Sequence, residues 1–395
     1  MDFVLVSTAT WNTPLWTNKQ HIARRLAEAG HRVLFVESLN LRRPRLTVRD
    51  VCKVVTRVFR TTIPVSSPGP GIRLAAPLAY SGSRLRLIRR LSLANAWRRI
   101  RREIADLGFV DPVLWLYNPV AVHLASLLPW SRIVYHCVDD LTAVPGIDRA
   151  LIAECETIVG RQADLVLCSS RPLFEMWRER APLVIYMPNA ADTVLFGAAA
   201  PDAAFVSERN RLGAQVAILY YGSLAGYKVD FALIEKIARS RPQWGIWLYG
   251  MFGEGESTTD AGELKGLSNV HFRPAVPPKA LAGVVAAVDV CILPHAPNAY
   301  TRASFPMKFF ECLAAGKPVV GRELESLREF TDLYYTAGSA EDFVIAIERA
   351  VREDNGSRAL QRRERAKAFS WERRIKDIER LLSAKRHESG LPKRS

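Results

Sequence analysis

The sequence predicts an α/β protein of two doubly wound domains facing a cleft, on three observations. Short apolar runs alternate with helical segments along nearly all of the 395 residues, and strand–helix–strand order of this kind builds parallel sheets. The alternation occurs twice, on either side of a small-residue stretch without periodicity, Gly197-Ala-Ala-Ala-Pro-Asp202. The length suits two domains, and 49% hydrophobic residues can fill two cores.

In the first domain, expected over 1–196, residues 3–7 read as the opening strand. Residues 18–30 read as a helix, with Ile22, Leu26 and Ala29 on one face and Gly30 as its stop. Strands follow at 33–36, 113–117, 133–136 and 165–168, and 148–162 is helical. The second domain, expected over 197–370, places strands at 217–221, 245–249, 270–272, 290–293 and 318–320. Its helices fall at 231–239, 279–287, 306–315 and 340–352. The helical pattern over 357–382 includes a last segment, 371–384, expected to pack back on the first domain, before a disordered tail at 385–395. Ligands of such sheets bind outside the carboxyl ends of the strands.

No apolar run reaches the roughly 18–20 residues of a membrane span, and the first eleven residues read as a strand rather than a signal peptide. The six cysteines (52, 137, 155, 168, 291, 312) show no paired spacing, which fits a reduced, cytoplasmic protein. There is no Asp-x-Asp and the seven histidines are dispersed, so no metal site is expected. The net charge is +15, and residues 41–102 carry 16 Lys and Arg against Asp50 alone. An acidic partner is implied: anionic lipid, nucleic acid or a phosphorylated substrate. No nucleic-acid-binding motif accompanies the charge, so no nucleic acid is expected as partner.

The segment from Ser304 to Gly321 combines an apolar helix with Lys308 and Glu311 three residues apart. Pro306 suits a first helical turn. The unpaired N–H groups of that turn suit a diphosphate, and a carboxylate one turn in can accept from two neighbouring hydroxyls of a ribose. The alternative is an ordinary intrahelical Lys–Glu pair, worth ~0.2–0.5 kcal/mol.

The run from Pro306 through Lys308, Glu311, Gly316 and Lys317 to Pro318-Val-Val resembles the donor-binding segment of GT-B glycosyltransferases. More narrowly it is similar to the bacterial cell-surface-polysaccharide group that includes teichuronic-acid-type enzymes. Residues 11–33, Tyr135-His-Cys-Val-Asp139-Asp140, Ala163-Asp164, Pro188-Asn189, Tyr221-Gly222-Ser223 and Phe369-Ser-Trp371 match in order, so the likeness covers 3–382. It implies a glycosyltransferase, retaining and metal-independent, with no cofactor beyond its nucleotide-sugar donor. The second domain would bind the donor through Glu311, Lys308, Pro306, Ser304, Arg302, Gly222, Ser223, Lys228 and Gly250. The first would bind the acceptor, a membrane-lipid-linked glycan or a polysaccharide. Two departures stand out: Ala303 replaces a second glutamate that many relatives direct at the sugar, and the loop after the domain's first strand offers only Lys228 for the diphosphate. A nucleotide-sugar-binding protein without turnover, or an epimerase or phosphorylase of the same architecture, remains an alternative.

Asp139 and Asp140 end a strand, where a carboxylate can orient or deprotonate an acceptor hydroxyl or cap a turn. His136 is a further catalytic candidate, with a core histidine as the plainer reading. Trp11, Asn12, Thr13 and Trp16 in the first loop offer aromatic surface to a sugar or pack the loop down, and Asn189 borders the expected hinge. Leu93, Ala96, Trp97, Ile100 and Ile104 share one helical face opposite Arg98, Arg99, Arg101 and Arg102. That cationic helix with its Trp97 suits an anionic membrane surface, the cytoplasmic face of the cell membrane, with a break expected near Ser92.

Overall fold

The computed structural model describes residues 1–39, 41, 67–77, 79, 81, 86–126, 128–253, 256 and 259–384. Much of the basic zone (42–66 and 82–85) and the expected tail (385–395) lie outside the described residues. The chain divides into two compact units. The first comprises Met1–Thr13, Asn18–Met187 and Ile375–Ser395, and the second Pro14–Thr17 and Pro188–Arg374. The chain therefore changes unit between Met187 and Pro188, and the small-residue stretch at 197–202 lies inside the second unit.

The first unit is built on seven strands: β1 (Asp2–Val6), β2 (Arg32–Val36), β3 (Ile72–Ala75), β4 (Val113–Leu116), β5 (Arg132–Cys137), β6 (Leu165–Cys168) and β7 (Val184–Tyr186). All neighbours pair in parallel in the order β3-β2-β1-β4-β5-β6-β7. Phe3, Val4, Leu5 and Val6 are fully buried, the unbroken apolar run expected of a strand covered on both faces. Strand β3 falls in the arginine-rich segment and was not expected there, because Arg73 interrupts its four residues.

The helix Arg86–Asp106 runs without a break, correcting the interruption expected near Ser92. Its inward face carries Leu93, Ala96, Ile100 and Ile104, with Trp97 half-buried. Residues from 375 onward belong to this unit: Ile375, Ile378 and Leu382 are buried, and His31 hydrogen-bonds the Glu379 carboxylate at 2.8 Å.

The second unit has six strands, β8 (Val216–Leu224), β9 (Trp244–Phe252), β10 (Val270–Arg273), β11 (Val290–Leu293), β12 (Val319–Gly321) and β13 (Tyr335–Thr336). They are parallel, in the order β10-β9-β8-β11-β12-β13. The strand order reverses between β8 and β11, the place where open sheets of this kind bind ligands. Alternation along β8 sends Leu219 and Tyr221 into one core, with Phe309, Phe310 and Phe330. Ile218 and Tyr220 enter the other, with Ile234, Phe343 and Ile347. The long helix expected at 357–382 is two helices, Gly356–Lys367 and Trp371–Ser383.

Candidate donor site

Strands β8 and β9 are longer than the sequence suggests, and their extra residues form the floor of the site. Gly222 pairs with Gly250, and a Cβ on Gly250 would fall 1.8 Å from the Gly222 carbonyl oxygen. Only glycine lets the strand ends close there. Gly222 itself has φ +131°, and a Cβ on it would fall 2.8 Å from Lys308 Nζ. The missing side chain opens a passage over the strand end. Lys308, on the Tyr221 side, uses it to place Nζ 4.1 Å from the centroid of the Tyr220 ring, a cation–π distance.

The helix carrying Lys308 and Glu311 runs from Lys308 to Ala314, starting later than the expected Pro306. Its N-cap residue, Met307, makes no side-chain cap. Phe309 N–H donates to the Pro306 carbonyl and Phe310 N–H to Met307. The first turn therefore offers fewer unpaired N–H groups than its sequence implies. Asn189, expected to serve the acceptor, belongs to the second unit, where its side-chain amide donates to the Phe305 carbonyl at 2.9 Å. It fixes the strap that leads into this helix.

Lys308 and Glu311 do not pair as an ordinary helical couple: among the described residues no ion pair joins them. Glu311 is buried, and it accepts from Tyr221 Oη at 2.9 Å. Burial pushes its carboxyl up to about 7, against the opposing pull of the Tyr221 hydroxyl and Lys308. Burial, reinforced by Lys228, lowers Lys308 to about 7. The Lys228 ammonium lies over the rings of Tyr227 and Tyr300, at 5.4 and 5.7 Å. Two cations and a buried carboxyl thus gather at the carboxyl end of β8.

Among the remaining donor candidates, Pro306 is buried, Ser304 and Ser223 are half-buried, and Arg302 is exposed on the helix Ala299–Ala303. The sequence reading missed His295. It follows β11, and its flanks are clamped to the Lys228 loop by Asp230 N–H to the Pro294 carbonyl (2.9 Å) and Ala296 N–H to the Lys228 carbonyl (3.1 Å). Burial, then Lys308 and Lys228, lower the imidazole to about 3, so it is neutral at ordinary pH. The signal was a histidine directly after a buried strand at the sheet's switch point.

In the first unit, His136 takes the plainer reading: it is buried, stacked on Tyr117 at 5.0 Å and edge-on to Trp115 at 5.7 Å. Asp140 caps a short helical turn, accepting from Thr142 N–H (2.9 Å) and Oγ1 (2.6 Å). Asp139 is half-buried beside it. Trp11 is only 6% exposed, edge-on to Phe35 at 5.1 Å, and its backbone N–H donates to the Glu37 carboxylate at 2.7 Å. Its ring serves packing, while Asn12 is exposed and Thr13 half-buried. Trp16 lies in the short segment grouped with the second unit. Arg98, Arg101 and Arg102 point to solvent, whereas Arg99 pairs with Glu103 at 3.1 Å. Leu87 and Leu91 of the same helix are 70% and 61% exposed.

Comparison with known proteins agrees with this geometry. Residues 215–353, within the second unit, match the family described as Glycosyl transferases group 1. A Bacillus subtilis (strain 168) protein named as a teichuronic acid biosynthesis glycosyltransferase, TuaH, is 29% identical over 301 residues, which are 69% of this chain and 72% of that protein. Sucrose-phosphate synthase from Thermosynechococcus elongatus superposes with a TM-score of 0.70 at 18% identity, covering 96% of this chain and 98% of that one. Anabaena HepE in complex with UDP-glucose gives 0.68 at 16% identity, covering 97% and 99%.

Proposed function

We propose that this chain, a GT-B glycosyltransferase carrying a group 1 domain, transfers a sugar from a nucleotide-diphosphate donor to a lipid-linked or polysaccharide acceptor. One observation carries the reading. Instead of pairing with each other, Lys308 places its ammonium over the Tyr220 ring, and Glu311 accepts from Tyr221 Oη, at the strand end where the sheet order reverses. An intrahelical pair would need no such arrangement, whereas a nucleoside diphosphate needs an acceptor for its ribose hydroxyls and cations for its phosphates. Glu311 takes the ribose, and Lys308 with Lys228 meets the diphosphate. Gly222 and Gly250 let the ligand approach the backbone. Neutralisation by lysines is what supports a metal-independent reaction.

Donor binding restores the ordinary charges of Lys308 and Glu311, because the diphosphate favours the ammonium and the ribose hydroxyls favour the carboxylate. On the acceptor side, Asp139, half-buried after the end of β5, orients the attacking hydroxyl. Retention of anomeric configuration rests on the family resemblance.

The acceptor reading draws on the helix Arg86–Asp106, whose outward side combines Arg98, Arg101 and Arg102 with Leu87 and Leu91. Such a surface suits the anionic cytoplasmic face of a membrane. Among the described residues no helix is long and apolar enough to cross a membrane. TuaH is named for a cell-surface polysaccharide, which fits an acceptor held at that surface.

Thermal stability with UDP-, GDP- and dTDP-sugars, for wild type and Glu311→Ala, tests the donor assignment. Saturation at 100 times the dissociation constant adds about 2.7 kcal/mol. Stabilisation of wild type by one nucleotide class, lost in Glu311→Ala, is the expected outcome. No shift with any nucleotide-sugar would remove the donor reading.

A further inference from the structure

We propose that His295 contacts the donor sugar, accepting a hydrogen bond from one of its hydroxyls. The inference rests on the donor reading above and assigns a residue to the sugar end of that site. His295 is 8% exposed, and its Nδ1 has no hydrogen-bond partner among the described residues. Buried polar nitrogens are nearly always partnered in folded proteins, and an orphan calls for an explanation. A core role supplies none, because no protein group among the described residues bonds Nδ1.

The position of the ring supplies one. His295 follows β11, which lies beside β8 across the switch point, and the bridge between Val229 and His295 ties it to the Lys228 loop. The charged groups that act on it are Lys308, from the helix after β11, and Lys228, from the loop after β8. Both are cations, and both only donate hydrogen bonds. Burial first, and these two cations after it, keep the imidazole uncharged, and a neutral imidazole carries one N–H and one lone pair. The Leu293 carbonyl favours a ring N–H, which leaves the lone pair on the other nitrogen as an acceptor.

The site needs such an acceptor. Glu311 is already engaged by Tyr221 and is assigned to the ribose. Asn298 Oδ1 is taken by Thr301 N–H at 3.0 Å, capping the helix Ala299–Ala303. Ala303 is buried and apolar. A sugar hydroxyl donating to His295 fills the vacancy on the ring without adding charge between the two lysines.

The experiment compares binding of a nucleoside diphosphate with that of its hexose ester, using the base that stabilises wild type (UDP against UDP-glucose and UDP-galactose, or the GDP or dTDP equivalents). Proteins are wild type, His295→Ala and His295→Asn, with melting temperature recorded for each. The role predicts that His295→Ala binds the bare diphosphate within about threefold of wild type while losing at least tenfold for the sugar ester. His295→Asn, which keeps an acceptor, recovers part of that loss. The ratio of sugar-ester affinity between His295→Ala and wild type stays constant between pH 5 and 8, because the imidazole does not titrate there. Equal weakening of both ligands by His295→Ala, or no weakening of either, overturns the role of His295 while the donor site stands. A wild type that binds neither ligand of any base overturns both.

Discussion

Replacing Glu311 by Gln should make the protein more stable and less able to hold its donor, and the gain should depend on pH. The folded-state pKa of Glu311, about 7, lies above the ordinary 4.5. The folded protein therefore binds this proton more tightly than the unfolded chain does. The stability linked to it is fully present below pH 4.5 and is lost as the pH rises through 7. At 1.36 kcal/mol for each pH unit, the loss amounts to about 3 kcal/mol. Gln has no proton to lose, and its carbonyl can still accept from Tyr221 Oη.

The gap between Glu311→Gln and wild type should thus grow from under ~1 kcal/mol at pH 5 to about 3 kcal/mol at pH 8. Urea midpoints followed by tryptophan fluorescence at four pH values would measure it. The same samples with nucleotide should show stabilisation of wild type and little of the variant. A gap that does not change with pH, or a variant less stable than wild type at pH 8, would refute the assignment to this position of a carboxyl whose charge burial disfavours.

Lys308→Met removes a cation whose folded pKa, about 7, lies below the ordinary 10.5. The cost of keeping it charged is full below pH 7 and fades toward pH 10.5, so the variant should unfold later than wild type at pH 6 and at nearly the same point by pH 10. It should also bind a nucleoside diphosphate more weakly, as titration calorimetry would show. Gly250→Ala forces a methyl against the Gly222 carbonyl and should cost about 1–3 kcal/mol, seen as a lower melting temperature, and weaken donor binding. Reversing Arg98, Arg101 and Arg102 to Glu should abolish co-sedimentation with anionic vesicles, since each basic residue near such a surface contributes roughly 1 kcal/mol, and leave donor binding unchanged. Vesicle binding that survives this triple change would place the membrane contact elsewhere.

The parallel sheets were legible because their central strands are continuous apolar runs. Strand β3 was not, because only four residues pair and an arginine sits among them. Periodicity also cannot show where a helix pauses: the pattern at 357–382 continues through Ala368–Ser370, where the chain turns between two helices. Lys308 and Glu311 stood out in sequence because polar residues inside an apolar helix need a reason. Their actual partners did not, since Tyr220 and Tyr221 lie some ninety positions earlier and meet the helix only once the sheet forms. Asn189 and Trp11 show the converse. Both occupy loops that the topology makes suggestive, yet an amide bound to the Phe305 carbonyl and an indole packed on Phe35 are structural. His295 was overlooked because its place after a buried strand marks it only once the sheet order is known, and its two lysine neighbours come from a different loop and a later helix.

The return of residues 375–383 to the first unit bears on how the chain is made. On the ribosome, the first unit's seven strands emerge before any of the residues from Pro188 onward, but Ile375, Ile378, Leu382 and the Glu379 partner of His31 come only after the whole second unit. Until then the apolar surface they cover is open to water or to other chains. The second unit is threaded into the first as an insertion held at both ends, so one cut at the Met187–Pro188 junction would leave the two still joined through the last helix. A nascent chain whose emerged part ends at residue 374 should accordingly hold a finished second unit and an unfinished first one, and that intermediate is the species a chaperone would meet.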